Sequence, residues 1–103
     1  MHIIAKRKLR EYYTSNAQAK LPLIEWYSKM SGVFAGDLMA LRAALNAGVD
    51  AVHGYTVFNI GGNNYRLITA VHYNTQRCYV REIWTHAEYS EKQNQDKLKG
   101  GDV

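Results

Sequence analysis

From Tyr55 to Tyr89 the chain reads YTVFNIGGNNYRLITAVHYNTQRCYVREIWTHAEY. Three strand-like runs are joined by two turn signals, and two of the runs carry an arginine in mid-strand, Arg66 and Arg81. Gly61-Gly62-Asn63-Asn64 is the stronger turn, because glycine and asparagine tolerate positive φ; Asn74-Thr75 is the weaker. With Ile60 paired to Tyr65, and Tyr73 to Gln76 across a two-residue loop, period-2 alternation sorts the side chains onto two faces. One face takes Tyr55, Val57, Asn59, Arg66, Ile68, Ala70, His72, Arg77, Tyr79, Arg81 and Ile83. The other takes Phe58, Ile60, Leu67, Thr69, Val71, Tyr73, Gln76, Cys78, Val80, Glu82 and Trp84. In this register Asn59 lies opposite Arg66, Arg66 opposite Ile83 and Ile68 opposite Arg81. The first face is cationic and the second apolar. An α+β fold follows: a small antiparallel sheet with the N-terminal helices on one face and the cationic face partly open.

Upstream, Ile3 and Ile4 predict a short strand within residues 1–5. A charged helix follows over Lys6 to Tyr13, with Leu9, Tyr12 and Tyr13 on its buried side. Ser15 or Asn16 is placed to cap a second helix, in which Leu23, Trp26, Tyr27 and Met30 fall at i, i+3, i+4 and i+7. Pro22 either belongs to the first turn of that helix or kinks it. Asp37 can cap a third helix with Leu38, Leu41 and Leu45 on one face, and Gly48 is a fitting C-terminal stop. Both stripes read as core packing.

The length, 103 residues, suits one domain with one core. A hydrophobic fraction of 47% and a charged fraction of 21% do not describe a disordered chain. The net charge of +4 and a pI near 9.3 favour polyanionic or acidic partners. One cysteine, Cys78, excludes an internal disulfide framework and fits a reducing, cytoplasmic setting. No export-signal pattern is visible, and no apolar run nears the ~20 residues of a membrane span. Residues 90–103, SEKQNQDKLKGGDV, predict a polar helix or a disordered tail.

Arginines and tyrosines on one open sheet face suit RNA. Guanidinium groups bind phosphate in bidentate fashion, and tyrosine rings stack on unpaired bases. RNA also carries its own nucleophile, the 2′-OH, so cleavage needs a base, cations at the phosphate and an acid for the 5′-oxygen, with no metal required. Histidine exchanges protons near neutrality, which makes His86 the candidate for proton transfer. Arg66 and Arg81 are the candidate phosphate ligands and Tyr89 an orienting group. Asn59, His72, Arg77 and Tyr79 would contact the RNA. Plainer readings exist: a mid-strand arginine is often a surface ion pair, here with Glu82 or Glu88, and His53 and His72 can be merely structural. No Gly-Lys-Ser phosphate loop or G-x-G-x-x-G occurs, and the histidines and Cys78 lack zinc-site spacing, so neither cofactor nor metal is expected.

Phe58-Asn59-Ile60-Gly61-Gly62-Asn63-x-Tyr65-Arg66-Leu67, followed by Cys78-Tyr79-Val80-Arg81-Glu82-Ile83-x-Thr85-His86-x-Glu88-Tyr89, closely resembles the HigB toxins of the RelE/HigB superfamily. Met1-His2-Ile3-Ile4 and Trp26-Tyr27 also fit, so the resemblance covers most of the chain up to about Tyr89. It implies a RelE-like fold and the toxin of a type II toxin–antitoxin system. It further implies metal-independent cleavage of mRNA, typically on the translating ribosome, and neutralisation by a HigA-type helix-turn-helix antitoxin. Arg66 sits where the superfamily places a phosphate-binding arginine, and Arg81 matches the arginine of the next strand. His86 and Tyr89 match the C-terminal position where related toxins keep a histidine or tyrosine near the chemistry. The sequence departs from the family at Leu45-Asn46-Ala47-Gly48-Val49-Asp50, where a Phe-Pro-type turn is usual.

Overall fold

The computed structural model describes residues 1–46 and 48–103. In chain order these form β1 (His2–Ile4), α1 (Lys6–Ser15), α2 (Lys20–Ser31), α3 (Leu38–Leu45), β2 (Val49–Val52), β3 (Tyr55–Ile60), β4 (Tyr65–His72), β5 (Arg77–Thr85), α4 (His86–Ser90) and α5 (Lys92–Gly100). The strands make one sheet in the order β1-β5-β4-β3-β2. Strands β3 to β5 are antiparallel, as the two hairpin signals require; β2, which the residue pattern does not mark, pairs antiparallel with β3, and β1 adds a parallel edge beside β5. The fold is α+β, as the residue pattern predicts.

The helices follow their sequence signals with two exceptions. Pro22 is the third residue of α2, within the first turn, where its missing N–H has no intrahelical partner to lose. Asp37 caps α3, its Oδ1 accepting from the Ala40 N–H at 2.8 Å. Asn16, by contrast, does not cap α2. Its Nδ2 donates back to the Tyr12 carbonyl at 3.0 Å and closes α1, and a 3-10 turn over Ala17–Ala19 leads into α2. The stop of α3 is Asn46 rather than Gly48: Asn46 takes the left-handed conformation, and its N–H donates to the Arg42 carbonyl at 2.9 Å. Gly48 serves close approach instead, since a Cβ there would come within 2.5 Å of the Asn59 amide nitrogen. Ala47, within the segment that departs from the family pattern, lies outside the described residues.

Helices α1 to α3 cover one face of the sheet. Leu9, Leu23, Trp26, Met30, Leu41 and Leu45 pack there against Phe58, Ile60, Leu67, Cys78, Val80 and Ile83. The first hairpin has the expected register, Ile60 to Tyr65 and Asn59 to Arg66, with Gly61 and Gly62 at φ of 62° and 69°. The second also starts in the expected register, His72 with Arg77 and Thr69 with Val80. The ladder then slips by one: Ile68 pairs with Glu82, Leu67 with Ile83 and Arg66 with Trp84. Arg81 is the extra residue of a β-bulge. Beyond it every side chain changes sides. Ile83 joins the helix-covered core, and Trp84 turns to the face of Arg66. The expected pairs Arg66–Ile83 and Ile68–Arg81, and the faces assigned to Glu82, Ile83 and Trp84, are corrected accordingly.

The second face is less open than the alternation implies. Tyr55, Val57, Ile68 and Trp84 form a smaller apolar cluster under Leu98 of α5, with Tyr89 and Val103 at its margin. Leu98, the one leucine in the polar C-terminal segment, is fully buried. Of the two alternatives for that segment, a helix is what forms.

Cys78 sits in the main core, and burial pushes its thiol up to about 11. A raised folded-state value means that the unfolded chain ionises first. The contribution to stability is therefore complete below the unfolded value of 9.0 and is lost as pH rises to about 11. Denaturation at pH 8 and pH 11 should show the wild type losing about 2–3 kcal/mol more than Cys78→Ala over that interval. Parallel pH profiles would remove the buried thiol from the account.

Candidate active site

Where β4 begins and β5 ends, the strands bring Arg66 beside Trp84. The chain then turns directly into α4. Thr85 caps this helix through a reciprocal capping box: its Oγ1 accepts from the Glu88 N–H at 3.1 Å, and its own N–H donates to Glu88 Oε1 at 2.8 Å. The Thr-x-x-Glu spacing is a local signal for such a start, one that the residue reading above does not use. His86 is the first residue of α4, and its backbone N–H donates to the Asn64 carbonyl of the first hairpin turn at 2.9 Å. The cap thus ties His86 to the loop that precedes Arg66.

Arg66 is buried, with 8% of its surface exposed. Its Nη1 donates to the carbonyls of Tyr65 at 3.1 Å and Asn63 at 3.3 Å. Its Nη2 donates to Asn63 Oδ1 at 2.6 Å and meets Nδ1 of His86 at 3.1 Å. The guanidinium carbon lies 5.7 Å from the centre of the Tyr89 ring, a cation–π distance. Tyr89 in turn leans on Trp84, ring centres 6.5 Å apart. Arg66, His86 and Tyr89 are therefore brought together, with the His86 ring exposed and Tyr89 half-buried. Asn63 belongs to the constellation although the sequence marked it only as a turn residue; no spacing rule announces a side chain that reaches back from a turn.

The other expected residues form a second group, farther along the same strands. His72 pairs with Arg77, the His72 and Tyr79 rings meet edge to face at 5.2 Å, and the Arg81 guanidinium lies 5.6 Å from the Tyr79 ring. His72, Arg77 and Arg81 are exposed. Arg81 is four residues up β5 from Thr85, a rise of about 13 Å at roughly 3.3 Å per residue. Asn59 is the cross-strand partner of Arg66, with its side chain against Gly48. The ion pairs among the described residues are Arg7–Glu11 and Arg42–Asp50, and neither Arg66 nor Arg81 takes part in one. The surface-ion-pair reading of these two arginines does not describe them.

Arg81 also opens onto a groove of about 380 Å³ between α1 and the free edge of β5, lined by Lys8, Glu11, Tyr12, Ser15, Asn16, Glu82 and Ile83. The Lys8 ammonium donates to the Arg81 carbonyl at 3.0 Å. Tyr12 packs edge-on against Tyr65, and its phenol is pushed up by burial first and then by the nearby Glu88 carboxylate. Tyr12 thus links the groove to the start of α4. Sequence reading placed Tyr12 in the core and assigned Lys8 no part. No cluster of three His, Cys, Asp or Glu side chains able to hold a metal occurs among the described residues. No helix among them is long and apolar enough to cross a membrane.

A family model for HigB toxin, described as the RelE-like toxic component of a toxin–antitoxin system, matches residues 19–92. The chain belongs to the HigB toxin family. It is 29% identical over 91 residues to the mRNA interferase toxin HigB of Escherichia coli K12, covering 86% of this chain and 88% of the relative. The same figures hold for proteins named mRNA interferase HigB from Escherichia coli O157:H7 and Shigella flexneri. The family match spans the whole Arg66–His86–Tyr89 constellation and stops within the C-terminal segment. Membership of this family means pairing with an antitoxin.

Because the capping box sets where α4 starts, Thr85→Ala should lower stability by about 1 kcal/mol, while Thr85→Ser leaves it nearly unchanged. The shift in the denaturant midpoint measures both; equal midpoints for wild type and Thr85→Ala would contradict the cap.

Proposed function

We propose that this HigB-family chain is an endoribonuclease that cleaves mRNA on the translating ribosome, in the cytoplasm, without a metal cofactor, and that a HigA-type helix-turn-helix antitoxin restrains it. The observation that carries this is the Arg66–His86–Tyr89 constellation, an exposed imidazole on a braced guanidinium, in a family whose relatives are named mRNA interferases. The 2′-oxygen attacks the adjacent phosphorus and the bond to the 5′-oxygen breaks. One proton leaves the 2′-hydroxyl and one reaches the 5′-oxygen, yielding a 2′,3′-cyclic phosphate and a 5′-hydroxyl. His86 faces the reacting phosphate, Tyr89 orients it, and Arg81, free of any carboxylate, offers its guanidinium to phosphate. His72, Arg77 and Tyr79 extend the cationic and aromatic track along the strand, and Asn59 flanks Arg66.

Purified protein added to a translation reaction should create new mRNA 5′ ends. His86→Ala and Arg81→Ala should fold normally and each lower cleavage by about 10²-fold or more, the range for a positioned proton-transfer group or charge. Intact mRNA with and without ribosomes, alongside salt-sensitive RNA binding, would mark the chain as a binding module instead.

A further inference from the structure

All four terminal N–H bonds of Arg66 are spent within the chain: two on the Tyr65 and Asn63 carbonyls, one on Asn63 Oδ1 and one on Nδ1 of His86. Only the Nε–H remains, in a side chain that is 8% exposed. A guanidinium held this way cannot grip a phosphate with its terminal fork unless it releases at least one of these partners. That departs from the direct phosphate contact expected of Arg66.

The contact to His86 has a stricter consequence. Guanidinium is a donor only. At 3.1 Å, Nδ1 of His86 must supply a lone pair, and a proton on Nδ1 would set N–H against N–H. We infer that Arg66 is a positioning residue that fixes His86 as the Nε2–H tautomer, with Asn63 as its brace, so that His86 meets the substrate as a hydrogen-bond donor. The backbone supports this. The His86 N–H is tied to the Asn64 carbonyl at 2.9 Å, and Thr85 is fixed by its cap, so the ring and the braced guanidinium keep one spacing. Nε2 lies across the ring from the buried contact, and the His86 side chain is exposed.

The division of labour changes with it. An Nε2–H nitrogen donates to a non-bridging phosphate oxygen or to the 5′-oxygen, and it cannot also take the 2′-OH proton while Arg66 holds Nδ1. The geometry thus assigns His86 to charge on the phosphate, and leaves guanidinium contact with flanking phosphates of the RNA to the exposed Arg81. This rests on the nuclease reading for its substrate, but the tautomer itself does not.

Two measurements separate the claims. In protein with nitrogen-15-labelled histidine, long-range proton–nitrogen correlation spectra identify the tautomer of each ring, and His86→Gln assigns the signals. Wild type should show His86 as the Nε2–H form, and Arg66→Met should convert it to a mixture. Should Arg66→Met unfold, Asn63→Ala, which removes only the brace, should shift the same signals part of the way. A Nδ1–H ring in wild type, or signals indifferent to both substitutions, would overturn the inference. In the cleavage reaction Arg66→Met should lower the rate by about 10²-fold alone yet add nothing in a His86→Ala background. Multiplicative losses would show Arg66 acting on the substrate directly and defeat the positioning role. Absence of cleavage by wild type, with the Nε2–H tautomer present and lost in Arg66→Met, would sink the nuclease reading while supporting the brace.

Discussion

The bulge at Arg81 is the constraint on which the rest depends. Before it, β5 sends Cys78 and Val80 toward the helices; after it, Ile83 takes over that role and Trp84 faces the other way. One strand thereby serves two cores. The larger lies under α1 to α3, and the smaller is closed by Leu98. A regular strand would have put Trp84 among the helices and removed the ring on which Tyr89 leans beside Arg66. The bulge also throws Arg81 outward at the strand edge, where β1 has already ended opposite Tyr79 and the groove beside α1 opens.

From that geometry the candidate site follows in sequence. Trp84 carries Tyr89, Tyr89 lies against the Arg66 guanidinium, and the Thr85 cap starts α4 so that His86 lands on the first hairpin turn. The site is built from chain segments twenty residues apart but only one hairpin apart in space. Its rigidity comes from backbone ties on both sides, Asn64 to His86 and Asn63 to Arg66, which suits a constellation that must be ordered before substrate arrives.

Much of this was legible in the chain. The helical stripes, the Asp37 cap, the first hairpin register and the start of the second follow from local periodicity and turn chemistry, and the structure keeps them. The bulge is harder to see: Cys78, Val80 and Ile83 break the period of two at that step, but an arginine followed by a glutamate looks the same in a regular strand. Leu98 shows no stripe because it is one leucine among charged residues, and its burial depends on a sheet face built from Tyr55, Val57, Ile68 and Trp84, distant from it in the chain. The sequence brought Arg66 and His86 forward as separate candidates. Their contact, and the loss of Arg66's donors to Asn63, arise from the three-dimensional path of a four-residue turn. Arg81, expected beside them, instead shares the outer strand region with Tyr79 and His72.

Taken together, a HigB-family fold carries an imidazole on a braced arginine at one end of the sheet and a free arginine at its edge. The central claim is that this arrangement drives attack by the RNA's own 2′-hydroxyl. The most direct measurement is the chemistry of the cut ends. If the claim holds, the downstream fragment carries a 5′-hydroxyl that a kinase labels without prior phosphatase treatment, and a single 2′-deoxy substitution at the cut nucleotide abolishes that cut. A 5′-phosphate, or undiminished cleavage next to the 2′-deoxy sugar, would contradict it.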